Sequence, residues 1–289
     1  MRFSSIYQDN KFVLSYELFP PKTDKGMANL EENLKRLLTY NPHFITCTYG
    51  AGGSTRDRTL TTLETVRKLT EVPLASHLTC VQATADDIRA YVRKTIDAGV
   101  DNIVAIRGDI PEGEETFTVT QGGFAYANEL VDLLHTEFPD LGIGVGGYPE
   151  VHPEAESLDV DIDNLKRKVD AGADIIITQL FFDNDDFYRF RDRCVTEGIS
   201  IPIIPGIMPI TSGGQLTKVT SLGASRPSEL SARFEAAGDD KESQFTIGID
   251  FAIAQTNALL KHGVRGLHFY VLNQSKATMA VLHELHPLH

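Results

Sequence analysis

Eight short apolar runs, each followed by a stretch with helical spacing, dominate this sequence. The runs cover residues 12–19, 44–49, 74–80, 103–106, 143–148, 175–181, 201–204 and 266–272. Each is long enough for a buried strand and too short for a helix. The helical stretches cover 27–38, 59–69, 85–98, 124–138, 162–171, 185–197, 215–222, 246–262 and 276–285. In the first of these, Leu30, Leu34, Leu37 and Leu38 share one face. In the third, Asp86 and Asp87 suit the positive end of the helix dipole, and Gly99 closes the helix. Strand and helix alternating eight times point to α/β architecture, a (β/α)8 or TIM barrel, spanning residues 1–289 as a single domain. An extra helical segment precedes the last strand, and residues 225–242 read as a polar surface insertion. An open doubly wound sheet is the rival, but the first strand ends in Glu17-Leu-Phe-Pro-Pro21 and carries no glycine fingerprint.

Composition excludes several classes. A net charge of −13 argues against a nucleic-acid partner, which calls for a basic face. The first ten residues hold no apolar core of a signal peptide, and no run approaches the ~20 residues of a membrane helix. Cys47, Cys80 and Cys194 are few, odd in number and unpaired in spacing, so neither a disulfide framework nor zinc is expected. A reducing, cytoplasmic setting fits. His283, His286 and His289 belong to a solvated tail, and no metal site is expected.

In a barrel, chemistry gathers where the strands end. Those ends read Glu17; Thr48 and Tyr49; His77 and Thr79; Arg107-Gly108-Asp109; Tyr148 to His152; Gln179; Gly206; Asn273-Gln274. Acids, an imidazole, a guanidinium, phenols and an amide suit a large heteroaromatic ligand and the movement of a proton. Glu17 lies among bulky apolar residues, so desolvation is expected to raise its pKa and fit it for general-acid work. Gly108 admits close approach of a ligand to the backbone, and Pro111 ends the strand. Pro149 and Pro153 stiffen the loop bearing His152. Asp161, Asn164, Arg167 and Lys168 lie within two turns of the following helix, where the cations are placed to hold a diphosphate. An ordinary charged helix face would show the same spacing.

The motifs Tyr16-Glu-Leu-Phe-Pro-Pro-Lys22, Thr48-Tyr-Gly-Ala51, His77-Leu-Thr-Cys80, Ala105-Ile-Arg-Gly-Asp109, Tyr148-Pro-Glu-Val-His-Pro-Glu-Ala155, Asn164-Leu-Lys-Arg-Lys168, Thr178-Gln179, Pro205-Gly-Ile207 and His268-Phe-Tyr270 run in order through nearly the whole chain. Together they resemble the methylenetetrahydrofolate reductase family. The resemblance implies FAD as cofactor and NAD(P)H as hydride source. It further implies reduction of 5,10-methylenetetrahydrofolate to 5-methyltetrahydrofolate by ping-pong hydride transfer in a homo-oligomer. Carried onto this chain, it makes Glu17 and Asp109 catalytic. It assigns flavin contacts to Thr48, Tyr49, His77, Arg107, Gly108, Asp109, Tyr126, Ala127, Tyr148, His152, Asp161, Asn164, Arg167 and Lys168. Folate contacts fall on Asp109, Gln179 and Gln215.

Two positions depart from the family's pattern. Gln274 stands where an Arg is common and cannot make the same charge-assisted bonds to an anionic folate tail, so folate affinity is expected to be either lower or rescued by Lys276. Val219 falls where a stacking Phe is common. The chain ends soon after the barrel, so the regulatory domain of eukaryotic relatives and feedback by S-adenosylmethionine are not expected. Alternatives are a flavoprotein subunit fed by ferredoxin or a partner protein, and a barrel lyase or aldolase. The last would need a Schiff-base lysine or a metal cluster at a strand end, and the sequence shows neither.

Overall fold

The computed structural model describes residues 1–49, 56–110, 113–114, 116–220 and 224–285. The glycine loop at 50–53, Pro111, His286 and His289 lie outside the described residues. Helix α1 (Phe3–Asp9) comes first. The barrel then runs β1 (Val13–Leu18), α2 (Asp24–Leu37), β2 (Phe44–Cys47), α3 (Arg56–Arg67), β3 (Leu74–Thr79), α4 (Ala85–Asp97), β4 (Asn102–Ile106) and α5 (Ala127–Glu137). It continues with β5 (Gly142–Gly147), α6 (Leu158–Asp170), β6 (Ile175–Thr178) and α7 (Asn184–Thr196). After β7 (Ile203–Ile204) and β8 (Gly206–Ile207) come α8 (Gly213–Thr220), α9 (Ser228–Ala237), α10 (Lys241–Lys261), β9 (Gly266–Tyr270) and α11 (Lys276–Glu284).

All paired strands are parallel, in the order β7-β6-β5-β4-β3-β2-β1-β9-β8. Nine segments make eight barrel strands, because β7 and β8 are one strand interrupted at Pro205. β7 pairs with β6 and β8 with β9, so this strand closes the ring. Proline has no N–H to give to a ladder. Its carbonyl still accepts from His268 N at 3.1 Å, and Gly206 N donates to Thr178 Oγ1 at 3.0 Å. Gly206 must be glycine, since a Cβ there would sit 2.3 Å from the Thr178 carbonyl oxygen and 2.6 Å from the Tyr270 ring.

Strand alternation sorts the side chains. Leu14, Tyr16 and Leu18 face outward and pack with Leu30, Leu34 and Leu37 of α2, whereas Val13 joins Phe44, Ala75, Val104, Ile175 and Ile204 in the barrel interior. The interior is plugged at the amino ends of the strands by α1, which buries Phe3, Ile6 and Tyr7. Phe3 meets Phe44 edge-on with ring centroids 4.9 Å apart, and its N–H donates to Asn102 Oδ1 at 2.8 Å.

Helix α4 shows the expected acidic first turn, and Thr84 and Asp87 cap it reciprocally. Gly99 follows at φ +80°, the left-handed conformation of a helix stop. Helix α6 starts at Leu158, ahead of the apolar periodicity, because the Ser157 hydroxyl accepts from Val160 N. The reading of 225–242 as a surface insertion is corrected. Residues 228–237 form α9, whose Leu230 and Phe234 are buried against Leu180, Phe182, Leu216 and Val219. All three cysteines are free and buried.

Candidate active site

Glu17, at the carboxyl end of β1, is 5% exposed. Its Oε2 lies 3.2 Å from His77 Nε2 of β3 and 3.4 Å from His268 Nε2 of β9. Thr46 of β2 donates weakly to the same oxygen at 3.5 Å. Parallel pairing puts Glu17 in register with Thr46 on one side and Tyr270 on the other, and puts Ser15, two residues before Glu17 in β1, in register with His268. The expected rise in the Glu17 pKa is overturned. Burial does push the carboxyl up, but the His77 ring beside it and the hydrogen bond from His268 outweigh that and bring it down to about 2. In this structure Glu17 is a carboxylate between two imidazoles.

Beside this cluster, between the ends of β3, β4 and β5, lies a recess of about 180 Å³. Its walls include Tyr49, Arg107, Gly108, Asp109, Ala127, Tyr148, His152 and Lys168, eight of the expected cofactor residues. Lys168 donates to the Gly146 carbonyl at 2.7 Å, and burial pulls its pKa down to about 8 despite nearby Asp161. Arg107 makes a bidentate pair with Glu154 at 2.7 and 2.5 Å. The Tyr148 and His152 rings meet edge-on at 4.5 Å, and Val151 between them is held at φ +102°. That conformation is strained for a β-branched residue and marks a loop fixed by its surroundings. Gly108 sits at φ +91°, and a Cβ there would come within 2.6 Å of Val81 Cγ2. Backbone conformation and the protein's own packing therefore require this glycine, not ligand approach alone.

The other expected contacts lie outside the recess. Asp161 accepts from His152 N at 2.9 Å and so supports its wall. Thr48 accepts from Thr59 through its carbonyl. Tyr126 is 63% exposed at the start of α5, and Asn164 and Arg167 are exposed on α6. Gln179 lines a smaller neighbouring recess that shares Tyr148, with its Oε1 on Leu180 N at 3.0 Å. Gln215 Oε1 accepts from Thr211 N and Oγ1 at 2.9 and 3.0 Å. Val219 is buried in the apolar cluster under α8 and α9, so it fills core. Gln274 is exposed, and Lys276 rests its ammonium 4.4 Å from the Phe245 ring centroid.

The site reading missed His268, its partner Ser15, and Glu154. A histidine inside an apolar strand looks like core. The available signal was position, since Ser15 and Glu17 point to the same side of β1 and Ser15 is in register with His268. Among the described residues no cluster of three or more His, Cys, Asp or Glu could hold a metal ion, and no helix is long and apolar enough to cross a membrane.

A closed parallel barrel with a carboxylate between two imidazoles, beside a cationic and aromatic recess at the carboxyl ends of its strands, has the layout of a barrel enzyme. The family model described as methylenetetrahydrofolate reductase matches residues 2–286, and the chain belongs to that family. It is 41% identical to the 5,10-methylenetetrahydrofolate reductase of Salmonella typhimurium, over 94% of this chain and 90% of that one. It is 38% identical to methylenetetrahydrofolate reductase (NADH) 1 of Arabidopsis thaliana, over 98% of this chain and 50% of the plant protein. Among solved structures, an uncharacterized Clostridium thermocellum protein that binds two copies of 5-methyl-5,6,7,8-tetrahydrofolic acid superposes with a TM-score of 0.71 at 15% identity. That match covers 98% of this chain and 97% of the other. At that identity the likeness is one of fold.

Proposed function

We propose that this chain reduces 5,10-methylenetetrahydrofolate to 5-methyltetrahydrofolate with FAD as its cofactor and NADH as electron source. The observation that carries this reading is the Glu17 cluster placed beside the recess, in a chain of this family. The lining of the recess suits part of a dinucleotide flavin by its chemistry, although a whole dinucleotide is larger than the recess. Lys168 spends one of its three donors on Gly146, which leaves charge for a diphosphate. Arg107 and His152 flank it, and Tyr49 and Tyr148 offer aromatic surface. Bound FAD would carry two electrons between nicotinamide and folate.

The chain's own residues would handle the proton and the orientation. Glu17 protonates folate N10, which opens the five-membered ring and leaves N5 electrophilic. Because the carboxyl is held low by its imidazoles, the unit that stores this proton is the cluster and not Glu17 alone. Asp109, exposed at the recess, orients the pterin through its amide-like edge and favours positive charge developing there. Gln179 and Gln215 meet the folate on the β6 and α8 side. The plant relative named for NADH supports that donor.

The test is an anaerobic titration of the purified protein. It should be yellow, bleach with NADH and regain colour when methylenetetrahydrofolate is added. A colourless protein that takes up no FAD overturns the proposal. A yellow protein bleached by reduced ferredoxin but not by NADH or NADPH replaces the electron source with a partner protein.

A further inference from the structure

Beside Glu17, the second imidazole has no individual role in this reading. His268 is fully buried, yet its ring is tied into a polar chain. Phe44 stacks on it at 6.0 Å and Tyr270 meets it edge-on at 5.4 Å, so the ring has little freedom to turn. Nε2 faces Glu17 Oε2 at 3.4 Å, and Nδ1 faces Ser15 Oγ at 2.8 Å. The Ser15 hydroxyl in turn lies 3.4 Å from the Leu267 carbonyl, which can only accept.

We propose that His268, oriented by Ser15, is the positioning residue that stores the proton for Glu17 and returns it from the closed side of the barrel. This rests on the reading of Glu17 as the acid that protonates folate. With the Ser15 hydrogen directed to Leu267, Ser15 Oγ accepts Nδ1–H of His268. That hydrogen bond selects the tautomer and leaves Nε2 as the exchanging position, aimed at Glu17. One proton then moves along the Nε2···Oε2 line between imidazolium–carboxylate and imidazole–carboxylic acid, and the charge of the pair is conserved. When Glu17 gives its proton to N10, the Oε–H bond breaks and an N10–H bond forms. The pair is then one proton short and refills from water at the mouth.

The two imidazoles at Glu17 are not equivalent. His77 is 9% exposed, and its buried Nε2 makes no hydrogen bond although it lies 3.2 Å from Glu17 Oε2. His268 has both nitrogens engaged and no exposure. Tyr270 and Cys47 also face the Glu17 charge. The Tyr270 hydroxyl donates to the Thr178 carbonyl at 2.7 Å, and burial raises the pKa of both groups, which keeps them neutral. Glu17 has ion pairs only with the two imidazoles among the described residues.

Nitrogen-15 NMR of protein labelled at histidine tests the storage directly and needs no turnover. His268 should carry a proton on Nδ1, as the geometry requires, and Glu17→Gln should shift its Nε2 signal. A neutral Nε2–H tautomer, or no shift in the Glu17→Gln protein, overturns the proposal. In the folate half-reaction, His268→Gln should move the alkaline limb of the pH–rate profile to lower pH, with roughly tenfold or greater loss near pH 8. Ser15→Ala should move it the same way by less. If His268→Gln does not fold, Ser15→Ala and the NMR spectra still decide. Full folate rate in Glu17→Gln means the acid itself has been misassigned, and the relay falls with it. Loss in Glu17→Gln, with wild-type rate and pH profile in His268→Gln, overturns the relay alone.

Discussion

The two ends of the same strands are built to opposite rules. At the amino ends, Val13, Phe44, Ala75 and Val104 meet Phe3 and Ile6 of α1 in a dry apolar layer. Asn102 there is well paired: it accepts from Phe3 N and donates to the carbonyls of Met1 and Leu74 at 3.1 and 3.3 Å, while the buried Tyr7 hydroxyl has no hydrogen bond. Two to four residues further along, the inward positions become Glu17, Thr46 and His77. There a carboxylate is buried, a histidine nitrogen has no hydrogen bond, and a lysine is pulled well below its ordinary pKa. Desolvated charge costs stability. The closed end supplies the packing that lets the open end carry it, so stability and chemistry are divided by depth along each strand.

The sharpest way to break that division is at its two poles. Glu17→Gln should lower the folate half-reaction by roughly 10²–10⁴-fold while NADH still bleaches the flavin. Stopped-flow measurement of the two half-reactions checks this, and equal loss in both would remove Glu17 from proton transfer. Phe3→Ala should do the reverse. It opens a cavity under the barrel and should cost about 3–5 kcal/mol of stability, read from denaturant unfolding. The folded enzyme's folate rate should stay within about twofold, since surface and packing changes far from a site act independently of it. A large rate loss in Phe3→Ala would mean that the plug also shapes the mouth.

How much of this was visible in the letters follows from which interactions are local. The barrel was legible because strand and helix periods are local and repeat through the chain. Most of the recess was legible too, because strand ends and family motifs marked Tyr49, Arg107, Tyr148, His152 and Lys168. Helix α1 was not, since seven residues cannot establish a period; its place is set by contact with Phe44 and Asn102. Helix α9 hid because Leu230 and Phe234 are isolated among polar neighbours, and only the burial of that pair fixes the segment. The direction of the Glu17 shift was misjudged for the same physical reason. Desolvation is readable from neighbours in sequence, but the imidazoles that outweigh it arrive from β3 and β9.

A smaller effect probes the cationic side of the open end. The Lys168 ammonium, with its pKa near 8, sits below the ordinary lysine value of 10.5 because burial disfavours its charge. A diphosphate beside it would favour the charged form. Below pH 8 the lysine is already protonated and flavin affinity should be flat. Above it, binding must take up a proton, and affinity should fall by about tenfold per pH unit towards pH ~10. Lys168→Arg, permanently charged, should bind with no such slope. Flavin fluorescence titrations across this range would show it. A slope that persists in Lys168→Arg would place the titrating group elsewhere.

The smallest effect should come from Glu154, which is the partner that Arg107 uses in this structure. The pair is bidentate at 2.7 and 2.5 Å, but the Glu154 side chain is 47% exposed, so solvent screens it and its net worth is small. The same guanidinium lies 5.0 Å from the Phe117 ring centroid, which holds it in place without the carboxylate. A bound flavin diphosphate and Glu154 would compete for Arg107. Glu154→Gln keeps the shape and removes the charge, so flavin should bind about two- to fivefold tighter, the range an exposed ion pair is worth. Weaker binding would mean instead that Glu154 aims Arg107 into the recess. The open end would then hold a pre-built contact where competition is proposed.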